Sequence, residues 1–282
     1  VSSPIEPRWL WLLCLSLVVM RCQPLRRALA KQVQLQRRFY NDMSAWNKFL
    51  EQVKHAESEL GNPREVWYRG HSQESWELTP SLLRLEDWEA KEKELFSEFN
   101  QTASRLFDKR NSDWETLFDM QHYWIPTRLL DWTTVLGVAI AFILHSDYEG
   151  AENSSLYILD PKSLNRLSGR DEVINLPEDK KFDYKSIYWE HNPLKVEKPL
   201  AIRPPQQSDR LRAQKGVFTV HGTLDSGFES CATACYRKIT LPNEAKEEAR
   251  TFLKWANLDE YTIYPDIVGM AQHIKRKILK GA

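Results

Sequence analysis

The sequence has few cysteines, few glycines and no excess of charge of either sign. Its 282 residues include four cysteines and 10 glycines, and 39 basic side chains balance 39 acidic ones. Four cysteines without a C-x-x-C pair argue against a disulfide framework or a cysteine zinc site and favour a reducing, cytoplasmic location. Scarce glycine argues against collagen-like and low-complexity chains. A net charge of zero argues against binding along extended nucleic acid, so a globular domain is the class that remains.

Residues 1–42 differ from the rest of the chain in charge and hydrophobicity. They carry seven basic and two acidic side chains, a net charge of +5, and include the apolar run Trp9–Met20. This run is shorter than the roughly 20 residues that span a bilayer, and no small-residue cleavage site follows it. We predict a leader over residues 1–42, an extension or an anchor-like segment, ahead of one domain over residues 43–282. Membrane contact is expected only if the run is an anchor.

Hydrophobic periodicity in the predicted domain places strands in its middle and helices at its ends. The run Val135–Leu144 is apolar on all sides, which predicts a buried helix. The alternating segment Val217–His221 predicts a strand, and so does Glu172–Leu176, whereas Glu244–Ala256 has the spacing of an amphipathic helix. The pattern predicts an α+β fold with a mixed central sheet flanked by helices.

An arginine followed by glycine, Arg69-Gly70, ends the first apolar segment of this domain. A guanidinium offers five donors in a rigid fork, and a glycine lets a ligand approach the backbone closely. This pairing suits a pyrophosphate or a carboxylate ligand. The alternative is an ordinary strand-end arginine that pairs with an acidic side chain of the core.

The segment Gln121–Thr134 places charged residues among apolar ones immediately before the predicted buried helix. Arg128 and Asp131 lie between hydrophobic residues, so each needs a partner or a ligand. A structural ion pair of Asp131 with Arg69 or with Arg128 is the competing interpretation. His122 is a candidate acid, base or ribose ligand, or a hydrogen-bonded core residue. Because no H-E-x-x-H or H-x-x-x-H spacing occurs, no metal site is predicted.

A third candidate segment, Arg210–Phe218, leads into the alternating strand. Gln214 lies just before Gly216, at a strand entrance where a polar side chain suits ribose recognition. The alternative is that Gln214 caps a short helix. The basic residues Arg210, Arg212 and Lys215 are typical of a solvated face.

These segments resemble the FRG domain, a family named for an aromatic-Arg-Gly motif. The motif occurs here as W-Y-R-G-H at residues 67–71 and is followed by H-Y-W-I-P-T-R-L-L-D-W-T at 122–133. The resemblance continues through A-I-A-F at 139–142, R-L-R-A-Q-K-G-V-F at 210–218 and Y-P-D-I-V-G at 264–269. It covers roughly residues 43–275.

The same segments are similar, more weakly, to three elements of ADP-ribosyltransferases in the same order. That similarity implies an ADP-ribosyltransferase-like sheet and NAD as the substrate, with Arg69 on its pyrophosphate or ribose, Thr133 supporting the nicotinamide pocket and Gln214 on the nicotinamide ribose. The family's third element carries Glu, and the chain has Gln214 there, so Asp131 is the candidate for the missing carboxylate. The implied site comprises catalytic Arg69, Asp131 and Gln214 with NAD contacts from Tyr68, Gly70, His122, Thr127 and Thr133.

The resemblance implies an NAD-dependent transferase that modifies a macromolecular target, in a toxin or host-defence setting. The alternative is a non-catalytic module that binds a nucleotide or a partner, with Trp67, Trp124 and Trp132 as stacking platforms.

Overall fold

The computed structural model describes residues 27, 31, 34 and 40–279, except 104–105, 107–111, 146–151, 177–181, 193–195, 207 and 223–226. Contacts divide the chain into two units, Val1–Lys48 and Phe49–Ala282. The apolar run Trp9–Met20 lies outside the described residues. Within the described part of the chain, no helix combines the length and hydrophobicity needed to cross a membrane.

Within the described residues, seven strands form one mixed sheet, which confirms the predicted α+β class. They are β1 (Trp67–His71), β2 (Leu129–Thr133), β3 (Ser154–Leu159), β4 (Ile174–Asn175), β5 (Leu200–Arg203), β6 (Gly216–Val220) and β7 (Tyr236–Leu241). Their order is β4-β5-β6-β2-β1-β3-β7. Strands β4 and β5 are parallel, and every other neighbouring pair is antiparallel.

Helices occupy the connections and both chain ends of this fold. They are α1 (Ala45–Glu59), α2 (Trp88–Ala103), α3 (Asp113–His122), α4 (Leu136–Leu144), α5 (Pro161–Arg166), α6 (Tyr184–Tyr188), α7 (Asp209–Gln214), α8 (Phe228–Cys231), α9 (Lys246–Trp255), α10 (Glu260–Ile263) and α11 (Ile267–Leu279). Short 3₁₀ turns lie at Leu82–Arg84 and at Asn243–Ala245.

The element predictions agree with the structure where the hydrophobic pattern is strong. The predicted buried helix is α4, the alternating segment is β6, and α9 lies within the predicted amphipathic helix. The predicted strand Glu172–Leu176 is wrong in length, since only Ile174 and Asn175 pair with β5. Leu176 still donates from its backbone N–H to the carbonyl oxygen of Arg203 of β5 at 2.9 Å, and β4 lies at the end of the sheet order.

The sheet is buried on both faces. Adjacent residues of a strand point to opposite faces, and in β2 Leu129 and Leu130 belong to different core clusters. On one face the cluster contains aromatic residues from the helices, among them Phe96 of α2, Trp114 of α3 and Tyr184 of α6. On the other face, Trp67 and Trp132 pack among residues from the rest of the sheet, α5 and α8.

The two strands at the centre of the sheet are joined at a single residue pair. Tyr68 of β1 pairs with Thr133 of β2, whereas β1 pairs with β3, and β2 with β6, over five residue pairs each. Residues 129–132 of β2 form no ladder pair with β1, so their backbone groups that face β1 are available for other hydrogen bonds. The side chain of Arg69 uses one of these groups, since its Nη1 donates to the carbonyl oxygen of Asp131 at 2.6 Å.

Candidate functional site

A polar cleft opens beside β2, between the second half of α3 and helix α7. Its enclosed volume is about 70 Å³. It is lined by Glu115, Phe118, Asp119, Gln121 and His122 of α3, Asp131 of β2, Pro205, Ser208, Arg210, Leu211 and Gln214 around α7, and Phe218 of β6. Pockets that bury a drug-sized ligand enclose about 300–1,000 Å³, so this cleft encloses only part of a ligand as large as a dinucleotide.

Asp131 supplies a carboxylate to this cleft from the middle of the sheet. It pairs with Phe218 of β6, and its side chain is 52% exposed although the residues on both sides of it are buried. Gln121 donates from Nε2 to Oδ2 of Asp131 at 2.7 Å, and Nη1 of Arg69 lies 3.9 Å from the same oxygen. These two contacts hold a negative charge at a fixed place that solvent and ligands reach.

The amide of Gln121 is itself oriented by a buried threonine. Thr127 donates from Oγ1 to Oε1 of Gln121 at 2.5 Å and accepts from the backbone N–H of Leu129 at 3.1 Å. With Oε1 accepting from Thr127, Nε2 of Gln121 faces the carboxylate of Asp131. Thr127 is buried and outside the lining of the cleft, so it acts on Asp131 through Gln121.

Arg69 is oriented by a neutral histidine. Nε of Arg69 donates to Nε2 of His71 at 2.9 Å, and Nδ1 of His71 lies 3.2 Å from the carbonyl oxygen of Trp76. Burial, with the positive charge of Arg69, lowers the pKa of His71 to about 3. A neutral ring with the proton on Nδ1 satisfies both contacts, because Nε2 then accepts from the guanidinium. Arg69 is therefore fixed from two sides beside Asp131.

Gln214 brings a second polar group to the cleft. It is the last residue of α7, and its Nε2 atom is buried with no hydrogen-bond partner within the described ranges. Thr133 fixes the backbone here, since its Oγ1 donates to the carbonyl oxygen of Gln214 at 2.6 Å and accepts from the N–H of Val135 at 3.1 Å. A buried donor without an acceptor costs free energy unless a ligand supplies one.

Arg210 of α7 brings positive charge to the lining of the cleft. The guanidinium of Arg210 lies 4.8 Å from the ring centroid of Tyr264 and 5.4 Å from that of Trp124, and it donates to the carbonyl oxygen of His122 at 3.4 Å. Burial, with Arg210 nearby, lowers the pKa of His122. The ring of His122 is therefore neutral near pH 7 and lines the cleft as a hydrogen-bonding group.

The comparison with known families matches residues 64–152 to the FRG domain. The FRG domain is thus shown for residues 64–152 of this chain. No curated protein and no solved structure matches the chain. The matched residues extend from before β1 to beyond α4 and include Arg69, Gln121 and Asp131. Gln214 and Arg210 lie after the matched residues, on helix α7, so part of the cleft lies outside the FRG match.

The structure separates the eight predicted site residues of this chain into three groups. Asp131, Gln214 and His122 line the cleft, and Arg69 contacts Asp131. Thr127 and Thr133 are buried beside it and position Gln121 and the backbone of residue 214. The remaining two, Tyr68 and Gly70, contact helices: Tyr68 donates from its hydroxyl to Glu57 of α1 at 2.6 Å, and Gly70 packs on α4.

Sequence reasoning missed Gln121 and treated Arg210 as part of a solvated face. The sequence signal for Gln121 is its place at the end of the α3 helix, directly before the His122–Thr133 motif. Arg210 is partly buried between two aromatic rings, whereas Arg212 pairs with Asp209 on the exposed side of α7. Spacing in the sequence does not distinguish these two arginines, because the distinction depends on Tyr264 from the end of the chain.

The proposed ion pair of Asp131 with Arg128 is wrong. Arg128 is buried and pairs with Glu92 of α2, while Asp131 is half-exposed and contacts Arg69. Two of the three suggested stacking residues, Trp67 and Trp132, are 0% and 1% exposed and offer no surface to a ligand. Trp124 is 68% exposed and is the one of the three that can stack on a ligand.

The glycine of the FRG motif has a packing role that predicts a destabilising variant. A Cβ atom on Gly70 would lie 2.2 Å from the carbonyl oxygen of Ala139 and 2.5 Å from Cγ1 of Ile143. We expect Gly70→Ala to lower the free energy of unfolding by about 1–3 kcal/mol, because α4 must move away from β1. Urea denaturation measures this loss. Ser75→Ala, in the loop that follows β1, is the control. Gly61→Ala is not suitable, because φ at Gly61 is positive and alanine would itself be strained there. Equal stability of Gly70→Ala and wild type would contradict the packing role.

Proposed function

We propose that this FRG domain binds NAD at the cleft and transfers its ADP-ribose group to a macromolecular acceptor. The proposal is supported by the placement of the three elements that are similar to ADP-ribosyltransferases. They lie on β1, at the end of β2 and at the start of β6, and these strands are neighbours in the sheet. Arg69 and Gln214 belong to the first and third of these elements, and Asp131 directly precedes the second, although Arg69 and Gln214 are 145 positions apart in the sequence.

The observation that carries the proposal is the half-exposed carboxylate of Asp131 in the middle of an otherwise buried sheet. A carboxylate at this place costs desolvation free energy and adds nothing to the hydrophobic core. Three groups nevertheless orient it or its backbone: Gln121, Arg69 and the neighbouring strand β6. A fixed negative charge facing a cleft is what stabilises a positive charge that develops on a ligand.

In the proposed reaction, the bond between C1′ of the ribose and the nicotinamide nitrogen breaks, and its electron pair leaves with nicotinamide. Positive charge develops on the ribose ring, and the carboxylate of Asp131 stabilises it. A nucleophilic atom of the acceptor then forms the new bond to C1′. The proton of the acceptor passes to Asp131 and from there to water, so the products are ADP-ribosylated acceptor, nicotinamide and one proton.

The other residues of the cleft are assigned binding roles. Among the described residues Nε2 of Gln214 has no acceptor, and we assign it to donate to a ribose hydroxyl oxygen. Arg69 is held beside Asp131 and attracts the phosphates, which brings the negative part of NAD to β1. Since the enclosed volume is small, these contacts hold the nicotinamide ribose, and the rest of the dinucleotide extends along the open surface.

Incubation of the purified protein with adenylate-labelled NAD and cell extract tests the proposal. We expect label to be transferred to macromolecules, nicotinamide to be released, and NAD to raise the melting temperature. The absence of label transfer together with the absence of a thermal shift would contradict it. A thermal shift without transfer or nicotinamide release would instead favour the second candidate, a non-catalytic nucleotide-binding module. The neutral Gln214 favours that candidate, because an amide binds a hydroxyl group but supplies no charge.

A further inference from the structure

Trp124 has a backbone conformation that bulky residues rarely adopt. Its φ is +59°, in the left-handed region, and its side chain is 68% exposed. The left-handed conformation brings Cβ close to the backbone of an L-residue, and glycine and asparagine are the residues that usually occupy it. A tryptophan at such a position is unfavourable for the local backbone and gains little from burial.

The reason for the positive φ is the way in which helix α3 ends. The N–H of Ile125 donates to the carbonyl oxygen of Met120 at 3.0 Å, and the N–H of Trp124 donates to that of Gln121 at 3.2 Å. This pair of bonds is the Schellman motif, whose left-handed residue is usually glycine. Helix α9 ends in the same way, with bonds from Leu258 to Leu253 and from Asn257 to Lys254. There the left-handed position is occupied by Asn257, as the motif prefers.

The ring of Trp124 is placed beside a charged group of the cleft. The guanidinium of Arg210 lies 5.4 Å from the ring centroid of Trp124, and Arg210 also lines the cleft. Arg210 is held from the other side by Tyr264. A flat aromatic surface and a guanidinium thus adjoin at the rim of the cleft, and the sequence tolerates an unfavourable backbone conformation there.

We propose that Trp124 is a stacking platform for the adenine ring of NAD and that Arg210 binds the adjoining phosphate. This inference rests on the proposed function, because it assigns the half of the dinucleotide that the cleft does not enclose. Stacking suits a purine on an exposed indole, and a guanidinium suits a phosphate. The enclosed volume of about 70 Å³ leaves the adenine half outside the cleft. Arg210 and Trp124 together offer both contacts at its rim.

The backbone position of residue 124 favours glycine, whereas stacking on adenine requires an aromatic ring. Substitutions at this residue therefore separate the two roles. Glycine favours the left-handed conformation but has no ring. We expect Trp124→Gly to raise the Kd of ADP at least about fivefold, which is about 1 kcal/mol. Its melting temperature is expected to be no lower than that of wild type. Trp124→Phe retains an aromatic ring, so we expect its Kd for ADP to lie between those of wild type and Trp124→Gly. Isothermal titration calorimetry with ADP gives the affinities.

Nicotinamide mononucleotide and a matched variant serve as controls. The mononucleotide has a phosphate and the nicotinamide ribose but no adenine, so we expect Trp124→Gly to leave its Kd within about twofold of wild type. Asn257→Gly also introduces glycine at the left-handed position of the Schellman motif, at the end of α9 and far in sequence from the cleft, and is expected to leave ADP binding unchanged. An unchanged Kd for ADP in Trp124→Gly would overturn the platform, and so would an equal loss of affinity for ADP and the mononucleotide.

The outcomes also separate this inference from the proposed function. If wild type releases nicotinamide from NAD while Trp124→Gly binds ADP normally, the platform is overturned and the transferase proposal stands. If wild type binds ADP in a manner that depends on Trp124 but neither binds nor cleaves NAD, the platform stands as a nucleotide site and the transferase proposal fails. If wild type binds neither ADP nor NAD, both are overturned.

Discussion

Replacement of Asp131 by asparagine is expected to lower the rate of nicotinamide release from NAD about 100- to 1,000-fold. Asparagine has nearly the same shape and still accepts a hydrogen bond from Gln121, but it carries no negative charge to stabilise the ribose cation. The carboxylate is half-exposed, so its removal leaves the core intact. The folded structure is therefore expected to persist, and the loss should fall on the chemical step more than on NAD binding.

The measurement is release of nicotinamide from NAD under single-turnover conditions, with NAD affinity determined by titration of the same preparation. Asp171→Asn is the matched control, since Asp171 is 92% exposed, lies 3.8 Å from Arg166 and is not among the residues that line the cleft. It should retain wild-type turnover. Turnover by Asp131→Asn at the wild-type rate would remove Asp131 from the reaction and leave the cleft without a carboxylate in that role.

Replacement of Glu92 by alanine is expected to lower the free energy of unfolding by about 3–5 kcal/mol, because it leaves Arg128 charged and unpaired in the core. Nε of Arg128 donates to Oε1 of Glu92 at 2.7 Å, and Nη2 contacts Oε2. Both side chains are at most 3% exposed. The hydroxyl of Tyr184 and Nε1 of Trp189 also donate to this carboxylate. Burial alone would lower the pKa of Arg128, but Tyr184 and Glu92 raise it above its usual value.

Chemical denaturation of wild type and variants measures this effect. Glu94→Ala is the control, since Glu94 is on the same helix but exposed, and we expect a change of no more than about 0.5 kcal/mol. The double variant Glu92→Ala with Arg128→Met removes the unpaired charge, so it should be more stable than Glu92→Ala alone. A double variant no more stable than Glu92→Ala would show that lost packing, and not the buried charge, causes the destabilisation.

The fold was predictable where one strand or helix has a clear hydrophobic pattern. The apolar run Val135–Leu144 predicts α4, and the alternation in Val217–His221 predicts β6. Strand β2 has no such signal, because Leu129, Leu130 and Trp132 are buried on both faces and do not alternate with polar residues. Periodicity therefore did not indicate this central strand of the sheet.

The candidate site was predictable in its residues but not in their partners. Arg69, Asp131 and Gln214 attract attention because charged or polar groups interrupt apolar segments next to glycines or strand ends. Which carboxylate each arginine contacts depends on distance in space: Arg69 reaches across 62 residues to Asp131, and Arg128 across 36 to Glu92. The sequence alone is compatible with either acidic partner for each arginine. The order of the strands and the position of α2 decide which pairs form.

The sequence alone determined the α+β class, the FRG motif and the balance of charge, because these follow from local periodicity and residue identity. The tertiary structure decided that Gly70 is required by the packing of α4, that Gln121 orients Asp131, and that Trp124 is exposed beside Arg210. The physical reason is that burial and hydrogen-bond partners are set by elements distant in the chain. A residue's type limits the contacts it can make, whereas the fold decides which of those contacts form.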